Sequence, residues 1–155
     1  MNVLLKIVGT GEGVVDDTAQ SAPDAVETIT DATLYRKDGA VYLFYSGSDM
    51  DSSLTTKQRI TIRDNYLELQ RSGGMQMTMT IEPGELHDCQ YVTAYGALSM
   101  QIGCSSLSVS DETERFYAMA DYSIYVDGLK LSDNHLTIEA RPYREDGTID
   151  VGADF

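Results

Sequence analysis

The chain is 155 residues long and sets 25 acidic against 11 basic side chains, a formal charge of −14 with both histidines neutral. That length suits one domain burying about two-thirds of its unfolded surface, enough to build a core without metal or disulfides. The charge leaves no basic stripe for nucleic acid and opposes docking on an anionic membrane, so neither is an expected partner.

Ten tyrosines, no tryptophan and only three prolines, among numerous Thr, Ile and Val, favour strands over helices. The first predicted strand covers residues 2–9. Lys6 interrupts its apolar run, and neither a basic leader nor a small-residue cleavage site accompanies it, so no signal peptide is expected. No apolar run approaches the roughly 18 residues of a membrane span. Thr10 to Asp24, with its Gly, Asp, Ser and Pro, reads as a mobile loop, and Gly9-Thr10-Gly11-Glu12-Gly13 lacks the lysine and helix of a phosphate site.

Strands are predicted next at 26–36 and 40–46, joined by Asp38-Gly39, a pair that accepts the positive φ of a tight hairpin. Asp49, Asp51 and Ser53 form a solvated hairpin tip, because the glycine and glutamate of a calcium loop do not follow. Strands at 54–63 and 66–71 flank Asp64-Asn65. Ser72-Gly73-Gly74 then introduces 75–82, where Met75, Met77, Met79 and Ile81 alternate with polar residues. Pro83-Gly84 makes a further turn, and His87-Asp88-Cys89 reads as a polar loop without the extra ligands zinc requires.

Strands at 89–95 and 97–109 follow. In the second, Leu98, Met100, Ile102 and Cys104 keep one phase before it changes to Leu107 and Val109, which places a bulge at Gly103 and the serines after it. The strands at 115–127 and 135–142 complete ten candidates, with Asp127-Gly128 as the turn between them. Residues 144–155 are acidic and turn-rich and are expected to form a partly disordered tail, leaving 1–143 as the domain.

Successive short hairpins imply antiparallel neighbours, and one long sheet must close or split to avoid exposed edges. Closure into a single all-β barrel of about eight to ten strands is favoured, since a sandwich needs longer crossing connections. Cys89 and Cys104 are too few to argue for an oxidising compartment, which makes a cytoplasmic protein with reduced thiols the expectation.

Arg71-Ser72-Gly73, the Met77, Ile81 and Gly84 spacing, and Thr93-Ala94-Tyr95-Gly96 with Leu98, Ile102 and Leu107 carry a specific likeness. On these residues the chain resembles the YwiB-like family of small bacterial proteins, found mainly in Firmicutes. The resemblance runs from about residue 2 to residue 142 and departs from the usual pattern at Ile81 and Cys104, both tolerable core exchanges. It implies a calycin-like (lipocalin-like) antiparallel barrel and a domain of unknown function. It implies no activity, because a shared barrel does not determine what its site does.

Arg71 continues the parity of Leu67 and Leu69, so its guanidinium points inward near a strand end. There it either plugs the barrel end on carbonyls or an acid, or anchors an anionic ligand. Tyr91, Thr93 and Tyr95 share one face and would supply hydroxyls to an apolar mouth, with Tyr122 joining them. The leading expectation is a non-enzymatic barrel that binds a small apolar or amphipathic molecule, with no metal or cofactor. A packed barrel acting as a protein-interaction or structural module ranks second, on outward tyrosines such as Tyr42, Tyr117 and Tyr125. An enzyme ranks third, its sign being a perturbed acid, histidine or cysteine in a cleft.

Overall fold

A computed structural model describes residues 1–13, 24–48, 55–73, 76–94, 96–112 and 114–143. The expected tail at 144–155, Tyr95, and the Asp49, Asp51 and Ser53 hairpin tip lie outside the described residues.

Ten strands follow one another: β1 (Asn2–Gly13), β2 (Asp24–Lys37), β3 (Ala40–Ser48), β4 (Thr55–Arg63), β5 (Tyr66–Ser72), β6 (Gln76–Ile81), β7 (Leu86–Thr93), β8 (Gly96–Glu112), β9 (Arg115–Val126) and β10 (Leu129–Pro142). Each pairs antiparallel with its sequence neighbours, and β1 pairs with both β2 and β10, so the meander closes into one barrel. The turns use the residues that tolerate positive φ: Asp38 and Gly39 at 53° and 79°, Asn65 at 58°, and Asp127 and Gly128 at 52° and 80°.

The described segments extend several expected boundaries. β1 continues to Gly13 and β2 starts at Asp24, so the ends of the expected 10–24 loop are strand, and residues 14–23 lie outside the described residues. His87-Asp88-Cys89 belongs to β7 and not to a loop, and β10 starts immediately after the Asp127-Gly128 turn. Both regions alternate weakly in the sequence; cross-strand pairing with β8 and β9 makes them strands.

In β8 the register to β9 steps from Cys104↔Tyr122 to Ser106↔Asp121, which leaves Ser105 as the extra residue of a bulge. The bulge is why Leu107 returns to the inside after Cys104. A second register step at Lys130/Ser132 in β10 leaves Leu131 outside the ladder.

Side chains of alternate residues fill the interior. Leu5, Leu43, Ile62, Leu67, Phe116 and Ile138 are each at most 1 % exposed and pack the end of the barrel at which β1 begins. Across the rim of that end Arg36 on β2 meets Asp111 on β8, Nε donating to Oδ2 at 3.0 Å and Nη2 to Oδ1 at 2.7 Å. β2 and β8 are not neighbours in the sheet, so this bidentate pair spans the barrel's mouth.

Pairing is uneven around the wall. β2 and β3 pair from Lys37↔Ala40 to Thr33↔Phe44, and among the described residues no pair continues the ladder beyond that point, although β2 pairs with β1 as far as Asp24. Among the described residues β6 and β7 share Gln76↔Val92 and Met77↔Tyr91 alone. The two free cysteines, both buried, sit on adjacent strands. Cys89 faces Met100, though, which puts Cys104 four residues further along, roughly 13 Å away and beyond disulfide reach.

Candidate functional site

The far end of the barrel is hollow. Ten strands make a wider ring than the eight whose interior side chains just fill, and small residues line part of its wall. Gly9 is at an inward position of β1, and a Cβ built there would meet nothing within 4 Å. Thr28 and Val26 follow the inward parity of Ala32 and Leu34 toward the same end; Val26 is 68 % exposed because it stands at the rim.

The resulting cavity measures about 260 Å³ and is partly open to solvent. Ile7, Ile60, Leu69, Met77, Met79 and Leu136 supply its apolar wall, and Tyr45, Gln58 and Arg71 its polar side. Larger depressions on the outer face, such as that bounded by Asp88, Gln90 and Tyr125, are shallower and more polar.

One cross-strand row carries the polar groups. Tyr45 faces Gln58, Gln58 faces Arg71, Arg71 faces Met77, and Met77 faces Tyr91 on five consecutive strands. Each follows from simple parity. Tyr45 continues Val41 and Leu43, Gln58 continues Ile62 and Ile60, and Arg71 continues Leu67 and Leu69, all inward. Cross-strand neighbours on one face have Cβ atoms about 4.5–5.5 Å apart, so the row brings three polar side chains together without a loop.

Burial pushes the Tyr45 phenol above the ordinary tyrosine value, while the nearby Arg71 guanidinium pulls it the other way; at neutral pH it is a protonated donor. Gln58 Nε2 donates to Thr56 Oγ1 at 2.8 Å, and Gln58 Oε1 is buried without a hydrogen-bond partner. Arg59, which also borders the cavity, belongs to the outward parity and donates through Nη2 to Gln70 Oε1, with Glu68 Oε1 at 3.5 Å.

Among the residues expected from sequence, Arg71 lines this cavity and Tyr91 stands in the same row, separated from Arg71 by Met77. Tyr91 does not line the cavity. Tyr122 is half-buried against the core on another arc of the wall, between Cys104 and Asn134, and burial pushes its phenol up. Thr93 ends β7, but its side chain lies outside the described residues, as does Tyr95 altogether. Sequence reasoning passed over Gly9, Tyr45 and Gln58. The signal for the last two was the alternation Val41-Leu43-Tyr45 and Ile62-Ile60-Gln58, followed one step beyond the apolar residues.

Among the described residues the remaining titratable groups lie elsewhere. His87 Nε2 is 2.9 Å from Glu82 Oε1. On the outer face Asp121 receives His135 Nδ1 at 2.6 Å and Ser106 Oγ at 2.9 Å. Burial raises both cysteine thiols above their ordinary value, so they stay protonated. Among the described residues no group of three or more His, Cys, Asp or Glu is placed to hold a metal ion. No helix there is long and apolar enough to cross a membrane.

Comparison with known proteins agrees with this architecture. The family described as Domain of unknown function (DUF1934) matches residues 11–138. The crystal structure of the ywiB protein from Bacillus subtilis superposes with a TM-score of 0.78 at 19% sequence identity, covering 92% of each chain. No curated protein matches. At that identity the structural likeness establishes the barrel and nothing about its contents.

Proposed function

The chain belongs to the DUF1934 family of domains of unknown function, and from that premise we propose that its barrel is a non-catalytic container for one small amphipathic molecule, acting in the cytoplasm. The reading rests on the asymmetry of the two ends. One is packed and spanned by Arg36 and Asp111, and the other is a cavity of about 260 Å³ with an apolar wall and three convergent polar side chains. Binding pockets share this character, mostly apolar with a few placed polar groups. Its volume is just under the ~300–1,000 Å³ usual for drug-sized ligands, which favours a compact molecule. Two free buried thiols suit a reducing compartment.

Gly9 provides the test. Its backbone is outside the positive-φ region, and the space in front of it is open, so Gly9→Leu fills the cavity without strain. Burying the new side chain and losing glycine's unfolded-state freedom both favour the fold. We expect the variant to melt no lower than the parent and to lose about tenfold or more of its affinity for an apolar fluorescent probe, the equivalent of about 1.4 kcal/mol. Native mass spectrometry of the gently purified parent should show a bound molecule absent from the variant. Undiminished probe binding by the leucine variant would sink the container reading.

A second reading draws on the outer face. Tyr35 and Phe44 are 55 % and 41 % exposed and pack edge-to-face with centroids 5.8 Å apart, a fixed aromatic pair of the kind enriched in protein interfaces. If this face carries the function, Tyr35→Ser with Phe44→Ser abolishes capture of a partner while probe binding in the cavity is unchanged.

A further inference from the structure

The polar groups around the cavity differ in how far they are committed. Arg71 already has an interaction partner, and Arg59 at the border donates through Nη2 to Gln70 and faces Glu68 Oε1 at 3.5 Å. The chain has 25 acidic residues, yet none of the described residues lining the cavity is acidic. The Tyr45 hydroxyl stands apart: burial and the charge of Arg71 act on it, and among the described residues no hydrogen bond does. Deepening the container reading and resting on it, we propose that the ligand is an uncharged molecule with one hydrogen-bond-accepting oxygen, as in a ketone or ester. Its oxygen sits on the Tyr45 hydroxyl and its short apolar tail lies in the space before Gly9.

Charge decides first. An ionised head sheds its water on entering an apolar cavity, and only a partner not taken from another group compensates that loss. An anion would reach Arg71 or Arg59 by displacing what each already holds, an exchange of one pairing for another that leaves the dehydration cost standing. A cation would meet no described carboxylate on the cavity wall, and the guanidinium of Arg71 beside it would repel it. A neutral oxygen costs far less to dehydrate, and one phenolic donor offsets that cost.

Position then selects the donor. Tyr45 continues the inward parity of Val41 and Leu43 and stands one residue past Thr33↔Phe44, where the described β2–β3 ladder has ended, so its cross-strand neighbour is Gln58 on the β4 side. Burial keeps the phenol protonated at neutral pH, and a protonated phenol donates. The tail belongs to the β1–β10 arc of the wall. Leu136 faces Gly9 across the strands, Ile7 lies two residues before it, and a Cβ on Gly9 would meet nothing within 4 Å. The volume of about 260 Å³ keeps the tail short.

Displacement of the apolar fluorescent probe from the full-length chain at neutral pH by 2-octanone, octanoate, octylamine and 2-methyl-1-octene tests the assignment. The last compound replaces the carbonyl oxygen of the ketone by a methylene of similar shape. The ketone should bind about tenfold or more tightly than octanoate or octylamine, since each ion loses its water without compensation. Tyr45→Phe should weaken 2-octanone about threefold to tenfold, the range of one neutral hydrogen bond. The same variant should bind 2-methyl-1-octene like the parent, which also reports that it folds. Octanoate or octylamine binding as tightly as the ketone overturns the uncharged assignment, and equal effects of Tyr45→Phe on ketone and alkene overturn the place of the oxygen. Both results leave the container standing. So does a probe that Gly9→Leu excludes and none of the four compounds displaces, a result that overturns this ligand class. Absence of binding by all four, together with a Gly9→Leu variant that binds the fluorescent probe like the parent, brings down both.

Discussion

Glu139 sits on β10 at 8 % exposure, its Oε1 accepting from Arg115 Nε and Arg141 Nε, each at 2.9 Å. Burial alone would raise its pKa; the two guanidinium groups override that and hold it below its ordinary 4.5. A carboxylate depressed in the folded state binds protons more readily when unfolded, so its stabilisation is present above pH 4.5 and is lost as the pH falls through the folded value. Asp121, held below its ordinary 3.8 first by His135 and then by Ser106, acts in the same direction. Glu139→Gln leaves two guanidinium groups facing a neutral amide and should cost about 1–3 kcal/mol at pH 7, less than a fully buried pair because Arg115 is 44% exposed. Urea melts should show that difference shrinking as the pH falls below 4.5; a constant difference would contradict the assignment. Arg141 is two residues from Glu139 on the same strand face, but Arg115 is 24 residues away, and only the β9–β10 register completes the cluster. Arg71 was legible, since its parity with two leucines needs no knowledge of its neighbours.

At the level of strands, period-two alternation and turn residues made the ten elements readable. The phase change between Cys104 and Leu107 places a bulge at Gly103 or the serines after it, and the register to β9 puts it at Ser105. The bulge at Leu131 had no such signal, because residues 129–134 mix apolar and polar side chains without a clear period. Where a ladder stops is equally hidden. Beyond Thr33↔Phe44 the described part of β2 is hydrogen-bonded on the β1 side only. Amides of residues 25–31 that point toward β3 should therefore exchange faster with deuterated solvent than those of residues 33–37, which are laddered on both sides. Equal protection along β2 would mean that the seam is sealed in solution. Tyr45 lines both the cavity and an outer groove running along this seam, so the wall there is one side chain thick. Entry of a ligand through the wall, as well as through the mouth, would depend on it.

For the molecule as a whole, polarity between the two ends matters more than closure. The Arg36–Asp111 pair ties two strands that do not touch in the sheet, but its side chains are 41% and 35% exposed, which limits its strength. A double-mutant cycle of Arg36→Ala and Asp111→Ala should give a coupling of about 0.5–1 kcal/mol, falling toward zero near 1 M salt as the charges are screened. Coupling that ignores salt would mean that the two residues act through packing. The formal charge of −14 makes the cycle the right measurement, because single variants also change the self-repulsion of the whole surface.

Taken alone, the sequence determined the strand order, the hairpins, one bulge and the inward set that includes Arg71, because alternation and positive-φ turns are local properties written into adjacent residues. The tertiary structure decided which end is packed and which is hollow. It also decided that Tyr45 and Gln58, rather than Tyr91 or Tyr122, flank Arg71 at the cavity. Those outcomes depend on register across five strands and on how ten side-chain volumes fill one ring, and neither quantity belongs to any stretch of chain by itself.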